Sequence, residues 1–323
     1  MRYLFVVLFT LNVNVYSQGI KVLDILSRSG ELIYSKANTS EPDEYIEGNL
    51  YIKNFESNND KLLFKDILVD HVVVKWISKD KILVFTLAKI LILDRSGNIL
   101  QTFEFNENES VKGVEYNKES GVAIFLLAIK DSIGSEKITL CSFDVQNLKL
   151  TTVIDSLLLD HRHIENLFYK LFLVKENCLL VHNTLGGFLL INLLNKQTTT
   201  LQLEFKSSFN DNLLFDVSSN GIQYIQYINK EKSKYEILEY SFATGKSNQY
   251  LVGNNKFDKK VNTNIFSSPY NKDFVVQIDK DICFYNYQEF IKISLENFEQ
   301  GLKFDGFYFY YLQHNNTIKR KKV

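Results

Sequence analysis

The residues of this sequence best suited to chemistry lie in the segment 160–166, DHRHIEN, where two histidines and a glutamate alternate. In an extended chain His161, His163 and Glu165 would share one face, a spacing that a metal site or an acid–base pair can use. Further ligands or partners would have to come from elsewhere in the chain, so a solvated polar loop and a ligand-binding loop stay open as alternatives. The segment alone predicts neither a metal site nor a catalytic set.

Other segments that resemble functional motifs lack a residue that the chemistry requires. ATGKS at 243–247 resembles the end of a phosphate-binding loop, but Tyr240 stands where that motif needs glycine, so a hairpin turn is the better interpretation. No GxSxG sequence occurs, so hydrolase chemistry has no local support. Cys141, Cys178 and Cys283 stand among apolar residues without the spacing of a zinc or redox site. The sequence therefore predicts no cofactor.

The first residues have the pattern of a targeting segment. Arg2 gives a positive start, residues 3–15 are mostly apolar, and Ser17 is a small residue before Gln18. The apolar run is too short for the roughly 20 residues that cross a bilayer, so we expect no membrane span. A signal peptide cleaved after residues 1–17 is the favoured interpretation, with a buried first strand as the alternative. We therefore expect an exported protein, periplasmic or extracellular.

The composition predicts a folded chain without long-range attraction to polyanions. The 323 residues are 45% hydrophobic and 14% aromatic, enough for a large core. Thirty-seven basic and 38 acidic residues give a net charge of −1, or −2 once Arg2 is removed with the targeting segment. This balance predicts no nucleic-acid partner. The one basic cluster, IKRKKV at 318–323, is interpreted as a solvated tail.

The hydrophobic pattern predicts an all-β protein. GIQYIQYINK at 221–230 alternates apolar and polar residues as a half-buried strand does. Denser apolar runs at 81–93 and 121–129 predict strands that are buried on both faces, the first run forming two strands with a turn near Lys89. The segment 163–175 is the best candidate for a helix.

A repeated turn predicts how these strands are arranged. The segments 25–35, ILSRSGELIYS, and 92–103, ILDRSGNILQTF, align without a gap, each as strand, tight turn and strand. We expect Gly30 and Gly97 in equivalent outer hairpins. Similar hairpins follow at intervals of 67, 50, 48, 49 and 46 residues. They are centred near Ser27, Asp94, Asp144, Asn192, Ser241 and Tyr287.

Units of about 40 to 50 residues with four short strands are typical of β-propeller blades. We therefore predict six four-stranded blades, with seven as the alternative, in a single domain of residues 18–323. A polar insertion near 35–49 accounts for the longest interval. The N- and C-terminal strands are expected to share one blade and so close the ring.

Three segments resemble degenerate copies of the Ser-Pro-Asp-Gly turn and the Asp-Leu-x-Thr-Gly-Lys hairpin of TolB-like six-bladed propellers: 216–228, 235–251 and 267–279. The likeness spans most of residues 20–323. One copy keeps Ser268-Pro269, with Tyr270-Asn271 in place of Asp-Gly. The resemblance implies the propeller fold and carries over no family site.

The predicted fold gathers the segments before each inner strand at one mouth of the central channel, and polar loops on a rigid scaffold are common binding sites. The sequence predicts a non-catalytic scaffold that binds a protein or peptide partner in the cell envelope. The alternative is a glycan-active hydrolase or lyase with its site at the same mouth. The candidate binding residues are Asp70, His71, Asp160, His161, Arg162, His163, Glu165, Asp211 and Asn262.

Overall fold

A computed structural model describes residues 20–323 with internal gaps. The gaps are residues 27–29, 39–45, 160–168, 176, 185–186, 204–213, 228–233, 255–262, 279 and 287–288. The described residues form 27 strands in seven antiparallel sheets, each built from strands that are consecutive in the chain. The fold is a seven-bladed β-propeller.

The first four blades run from the N-terminal side of the chain. Blade 1 contains β1 (Ile20–Leu26), β2 (Glu31–Ala37), β3 (Glu47–Asn54) and β4 (Asn59–Leu68). Blade 2 contains β5 (Val73–Trp76), β6 (Lys81–Phe85), β7 (Lys89–Asp94) and β8 (Ile99–Glu104). Blade 3 contains β9 (Glu109–Asn117), β10 (Val122–Lys130), β11 (Glu136–Asp144) and β12 (Lys149–Leu157). Blade 4 contains β13 (Leu171–Lys175), β14 (Cys178–Thr184), β15 (Gly187–Asn192) and β16 (Thr198–Gln202).

The remaining blades complete the ring. Blade 5 contains β17 (Leu214–Val217), β18 (Gly221–Tyr227), β19 (Lys234–Ser241) and β20 (Lys246–Asn254). Blade 6 contains β21 (Thr263–Ser267), β22 (Phe274–Ile278), β23 (Asp281–Tyr285) and β24 (Phe290–Ile293). Blade 7 contains β25 (Phe298–Phe304), β26 (Tyr308–Gln313) and β27 (Ile318–Lys322). A 3-10 helix, Val69–His71, links blades 1 and 2.

The core lies between the blades. Each hydrophobic cluster of the described residues joins two neighbouring blades, as Ile33 of β2 and Val74 of β5 do. The ring closes in the same way, because Leu32 of blade 1 packs in one cluster with Tyr310 and Leu312 of blade 7. First strands of neighbouring blades contact each other at most junctions of the ring, which places them around its axis. This geometry brings distant chain segments together at the axis.

The all-β propeller prediction is confirmed, and the blade number is the alternative, seven. Blade 7 has three strands within the described residues. An N-terminal strand that shares this blade would have to come from residues 1–19, which lie outside them. The run at 81–93 forms β6 and β7, as predicted. The proposed helix at 163–175 is wrong where the structure describes it, since residues 171–175 form strand β13.

The equivalence of the two glycine turns is wrong. Gly97 lies in the turn between the third and fourth strands of blade 2, whereas Gly30 lies between the first and second strands of blade 1. The five later hairpins do join third and fourth strands. The equivalent turn of blade 1 follows Asn54, whose side-chain oxygen accepts hydrogen bonds from the backbone N–H groups of Glu56 and Ser57. The segments 25–35 and 92–103 are similar in sequence because both form tight turns.

The basic segment at the C-terminal side is also different from its prediction. Residues 318–322 form β27, which pairs with β26 along its length. Arg320 stacks over the rings of Phe55 and Tyr308, at 4.9 and 4.6 Å from their centroids. The segment is therefore a structured part of blade 7 and not a tail.

Candidate functional site

Six blades each contribute, on or beside the first strand, a charged side chain that interacts electrostatically with a charge of another blade. The sign alternates from blade to blade, and in a seven-membered ring this requires one neutral member, which is blade 6. The axial charges are Asp24, Lys75, Glu115, Lys170, Asp216 and Lys303. We call these six residues the axial row.

The charges of the axial row are coupled across the ring. Lys303 of blade 7 interacts electrostatically with charges on four other blades: Asp24, Lys75, Glu115 and Asp216. A single side chain can do this when it lies near the axis. The other faces of the first strands pack in the apolar clusters between blades, so a charge is better accommodated at the axis, where opposite charges are available.

Lys75 and Glu115 form the ion pair of this row. The Nζ atom of Lys75 lies 3.2 Å from both carboxylate oxygens of Glu115, and about a fifth of each side chain is exposed. Burial acts to lower the pKa of Lys75, but the carboxylates of Glu115 and Asp24 outweigh it and raise the pKa above its ordinary value. Lys75 is therefore held in its charged form.

Two aspartates of the row connect neighbouring blades through backbone groups. Asp24 of blade 1 accepts a hydrogen bond of 2.7 Å from the backbone N–H of Trp76 in blade 2. Asp216 of blade 5 accepts one of the same length from the N–H of Ser267 in blade 6. Each acceptor and donor stand at the ends of successive first strands. A carboxylate thus satisfies an N–H group that the next sheet leaves unpaired.

The remaining charges of the row lie in less favourable surroundings. Burial raises the pKa of Asp216, although bonds from Ser267 and Val217 and the lysines at 170 and 303 oppose the shift. Burial likewise lowers the pKa of Lys170, against the attraction of Asp216. The side chain of Lys170 is exposed to solvent. The pKa of Lys303 is lowered by burial and by the positive charge of Lys75, against the attraction of three carboxylates.

The axial row can therefore do two things chemically. Its carboxylates and Lys75 tie first strands together, and its shifted groups, Asp216, Lys170 and Lys303, have the pKa displacements that proton-transfer sites also show. Within the described residues, no group of three or more His, Cys, Asp or Glu side chains is placed to hold a metal ion.

An exposed aromatic pair lies at the end of the ring where the first strands end. Most residues of the axial row are nearer to this end than to the other. Tyr270 and Phe307 stand in the turns between the first and second strands of blades 6 and 7, with ring centroids 6.0 Å apart. They are 58% and 41% exposed. Asp305 fixes the second turn by accepting hydrogen bonds from the N–H groups of Phe307 and Tyr308.

Gly306 allows the two turns to touch. Its φ is +89°, and a Cβ atom there would lie 2.8 Å from the Oγ atom of Ser268 and 3.0 Å from the ring of Tyr270. The glycine thus brings the two blades close enough for the aromatic rings to lie side by side. Exposed aromatic side chains on a rigid turn are typical centres of protein interfaces.

Most of the predicted binding residues cannot be placed. Asp160, His161, Arg162, His163, Glu165, Asp211 and Asn262 lie outside the described residues, as does the side chain of Asp70. His71 is described and is 8% exposed, at the end of the 3-10 helix. Its side chain is buried, and its predicted role in binding stays a prediction. The placement of residues 160–166 at the mouth of the central channel therefore stays a prediction.

Sequence reasoning missed the axial row because its members are single residues in strands that lie far apart in the chain. VVKW and LFDV contain Lys75 and Asp216 as lone charges. A single charge in a strand buried on both faces is costly without a partner. Alignment of the first strands would have shown a charge in six of the seven units, but the strands are too short and varied to be aligned before the blades are known.

Comparison with known proteins supports the fold and leaves the family open. No protein-family model and no curated protein matches the chain. Among solved structures, oligogalacturonate lyase from Vibrio parahaemolyticus is similar with a TM-score of 0.59 and 10% identity, over 90% of this chain and 85% of the lyase. The β-propeller domain of Cps50 (Swd1) from Myceliophteria thermophila has a TM-score of 0.57 and 10% identity, over 95% and 97% of the two chains.

BamB from Moraxella catarrhalis is similar with a TM-score of 0.51 and 11% identity, over 92% of this chain and 83% of BamB. Identities this low show a shared propeller fold, which serves enzymes and binding proteins alike. The TolB-like assignment remains a prediction. Among the described residues, no helix is long and apolar enough to cross a bilayer.

Proposed function

We propose that this protein is an exported, non-catalytic β-propeller that binds a protein or peptide partner in the cell envelope. The observation that carries the proposal is that, at one end of the ring, the axial charges bind other blades while two aromatic side chains stay exposed. Axial carboxylates bind backbone groups of the next blade, so they hold the scaffold together. The aromatic pair beside them is exposed, as an interface residue must be before its partner arrives.

The partner face consists of Tyr270 and Phe307 on the turns of blades 6 and 7. Two aromatic rings on turns fixed by hydrogen bonds lose little conformational freedom when they are covered. The likeness to BamB and to the Cps50 propeller domain agrees with a scaffold, and the targeting pattern of residues 1–17 supports export.

Affinity capture from the exported fraction tests the proposal. The wild-type chain should recover a partner, and a variant with Tyr270→Ala and Phe307→Ala should recover at least about tenfold less, since aromatic centres of interfaces often contribute 2 kcal/mol or more. Leu194→Ala is the matched control, because Leu194 is 74% exposed in a turn of blade 4. Equal recovery by all three proteins would contradict the proposal, as would an exported chain that retains Met1.

A lyase is the second candidate, and one observation favours it. Asp216, Lys170 and Lys303 have shifted pKa values within one cluster, and such clusters mark many active sites. Lyase activity is tested by incubating the protein with oligogalacturonate, because β-elimination yields an unsaturated product that absorbs ultraviolet light. Formation of that product by the wild type but not by Lys303→Met would establish the lyase and overturn the scaffold proposal.

A further inference from the structure

Blade 7 differs from the other six blades in its outer edge. In each of those blades a fourth strand pairs with the third, so the third strand lies between two neighbours. In blade 7 the third strand is β27, and within the described residues nothing pairs with its outer side. An edge of this kind presents unpaired backbone donors and acceptors to an incoming strand.

The side chains of β27 are more exposed than those of a third strand in another blade. In β7, the third strand of blade 2, residues 90–93 are all buried. In β27, Lys319 and Arg320 are half-buried and Lys321 and Lys322 are exposed. The third strand of blade 7 is thus more accessible than the third strand of blade 2.

The register identifies which backbone groups face outward. Val323 donates its N–H to the carbonyl of Phe307 at 3.1 Å, and Gln313 donates to Thr317 at 3.0 Å. Since hydrogen-bonded pairs alternate along antiparallel strands, residues 319 and 321 also face β26. The N–H and C=O groups of Ile318, Arg320 and Lys322 therefore point to the open edge.

The side chains of the edge select for negative charge. Arg320 is held by its stacking on Phe55 and Tyr308. Within the described part of the chain, no ion pair engages Lys319, Lys321 or Lys322. Lysines on an edge strand discourage pairing with ordinary strands, but an acidic strand would gain from them.

We propose that the outer edge of β27 receives an extended acidic segment of a protein partner, which adds the fourth strand of blade 7. The segment pairs with the outward groups of residues 318, 320 and 322, and its carboxylates meet the lysines. The edge ends beside Phe307, so the added strand leads directly to the aromatic pair. This inference rests on the proposed function, because export removes residues 1–17 from the chain.

The added strand is tested with the exported form and a labelled peptide, Thr-Glu-Val-Glu-Thr-Glu-Val. We expect binding, and at least about a tenfold loss when alternate peptide nitrogens are methylated, since methylation keeps the charge but removes backbone donors. Equal binding of the two peptides would show attraction by charge alone and overturn the proposal.

Two substitutions at one residue separate the backbone from the charge. Lys322→Pro removes an outward N–H and leaves the bonds to β26 intact, and Lys322→Ala removes the charge alone. We expect about a tenfold loss of peptide affinity for the proline variant and about a threefold loss or less for the alanine variant. Thermal unfolding of both variants near the wild-type temperature verifies the fold. Equal affinities of the two variants would overturn the proposal.

The outcomes distinguish this inference from the proposed function. A captured partner whose recovery is unchanged by Lys322→Pro would leave the scaffold standing and overturn the edge site. Peptide binding through the edge without any captured partner would support the edge site and count against the scaffold. Failure of the peptide to bind an exported form that still carries residues 9–15, FTLNVNV, would assign the edge to the chain's own alternating segment and overturn the proposal.

Discussion

At the scale of single residues, two lysines of the axial row have opposite energetic roles. Lys75 has a carboxylate partner at 3.2 Å and a raised pKa, whereas the pKa of Lys303 is lowered by burial. The fold thus stabilises one ammonium group and disfavours the other, although both lie near the same axis. This difference arises because Glu115 contacts Lys75 directly, while the carboxylates around Lys303 are engaged elsewhere.

The same substitution should therefore have opposite effects at the two sites. Lys75→Met leaves Glu115 without its partner and should lower the free energy of unfolding by about 2 to 3 kcal/mol. Lys303→Met removes a disfavoured charge and should leave the free energy unchanged or raise it by up to about 1 kcal/mol. Urea denaturation at neutral pH measures both. A larger loss for Lys303→Met than for Lys75→Met would contradict this account.

The two lysines should also differ in pH dependence. Because the folded pKa of Lys303 lies below the unfolded value near 10.5, the unfolded chain binds more protons between the two values. The stability of the wild type relative to Lys303→Met should therefore rise as the pH approaches about 10.5. For Lys75 the pKa is raised, so its contribution is full below about 10.5 and lost only as the pH rises through the folded pKa.

Denaturation of the three proteins between about pH 7 and 10 checks this sign. The difference between the wild type and Lys75→Met should stay flat across that range, while the difference from Lys303→Met changes. A flat difference for Lys303→Met as well would show that Lys303 does not titrate as the structure indicates.

At the scale of elements, the turns within blades differ in how closely they contact a neighbouring blade. Gly97 has a φ of +92°, and a Cβ atom at this position would lie 2.0 Å from the carbonyl oxygen of Leu63 in blade 1. Gly134 has a φ of +85° in the turn between β10 and β11, with no atom within 4 Å of such a Cβ. The two glycines share a backbone conformation and differ in their surroundings.

This pair separates conformational strain from steric contact. Gly134→Ala should cost roughly 1 kcal/mol, the ordinary penalty of a left-handed residue. Gly97→Ala should cost at least about 3 kcal/mol, because the backbone of blade 1 must also move. Thermal unfolding of the two variants measures the difference. Similar losses would mean that the turn of blade 2 is not packed against Leu63 in solution.

The sequence predicted the elements better than their roles. Strand positions and the period of about 40 to 50 residues followed from alternation and turn chemistry, because these are local. The first turn was assigned to the wrong pair of strands, since the ArgSerGly phrase also builds a turn between first and second strands. Asn54 marks the true first repeat, and the turn residues from 54 to 286 are then 40, 50, 48, 49 and 45 residues apart. Counting from Asn54 would have left room for the seventh blade.

The site was harder to predict than the fold because its members are distant in sequence. Tyr270 and Phe307 each look like ordinary turn or strand aromatics, and their pairing depends on the contact of two blades at Gly306. Lys75 and Glu115 are 40 residues apart, and nothing local joins them. Such contacts can be identified only once the arrangement of the blades in the ring is known.

At the scale of the whole molecule, the ring separates stability from recognition. Interblade clusters and axial carboxylates hold the blades, and the turns of blades 6 and 7 together with the edge of β27 present surfaces that the ring does not use. A rigid ring with one open blade can bind a partner without rearranging, which limits the entropy lost on association.

Cross-linking of the exported fraction with an amine-reactive reagent, followed by mass spectrometry, tests the central claim that a protein partner binds this part of the ring. Lys272 and Lys322 lie next to the aromatic pair and on the open edge, while Lys130 and Lys137 flank a turn at the opposite end. The account predicts cross-links from the partner to Lys272 and Lys322, which disappear when Tyr270 and Phe307 are replaced by alanine. Cross-links confined to Lys130 and Lys137, or unchanged in that variant, would contradict it.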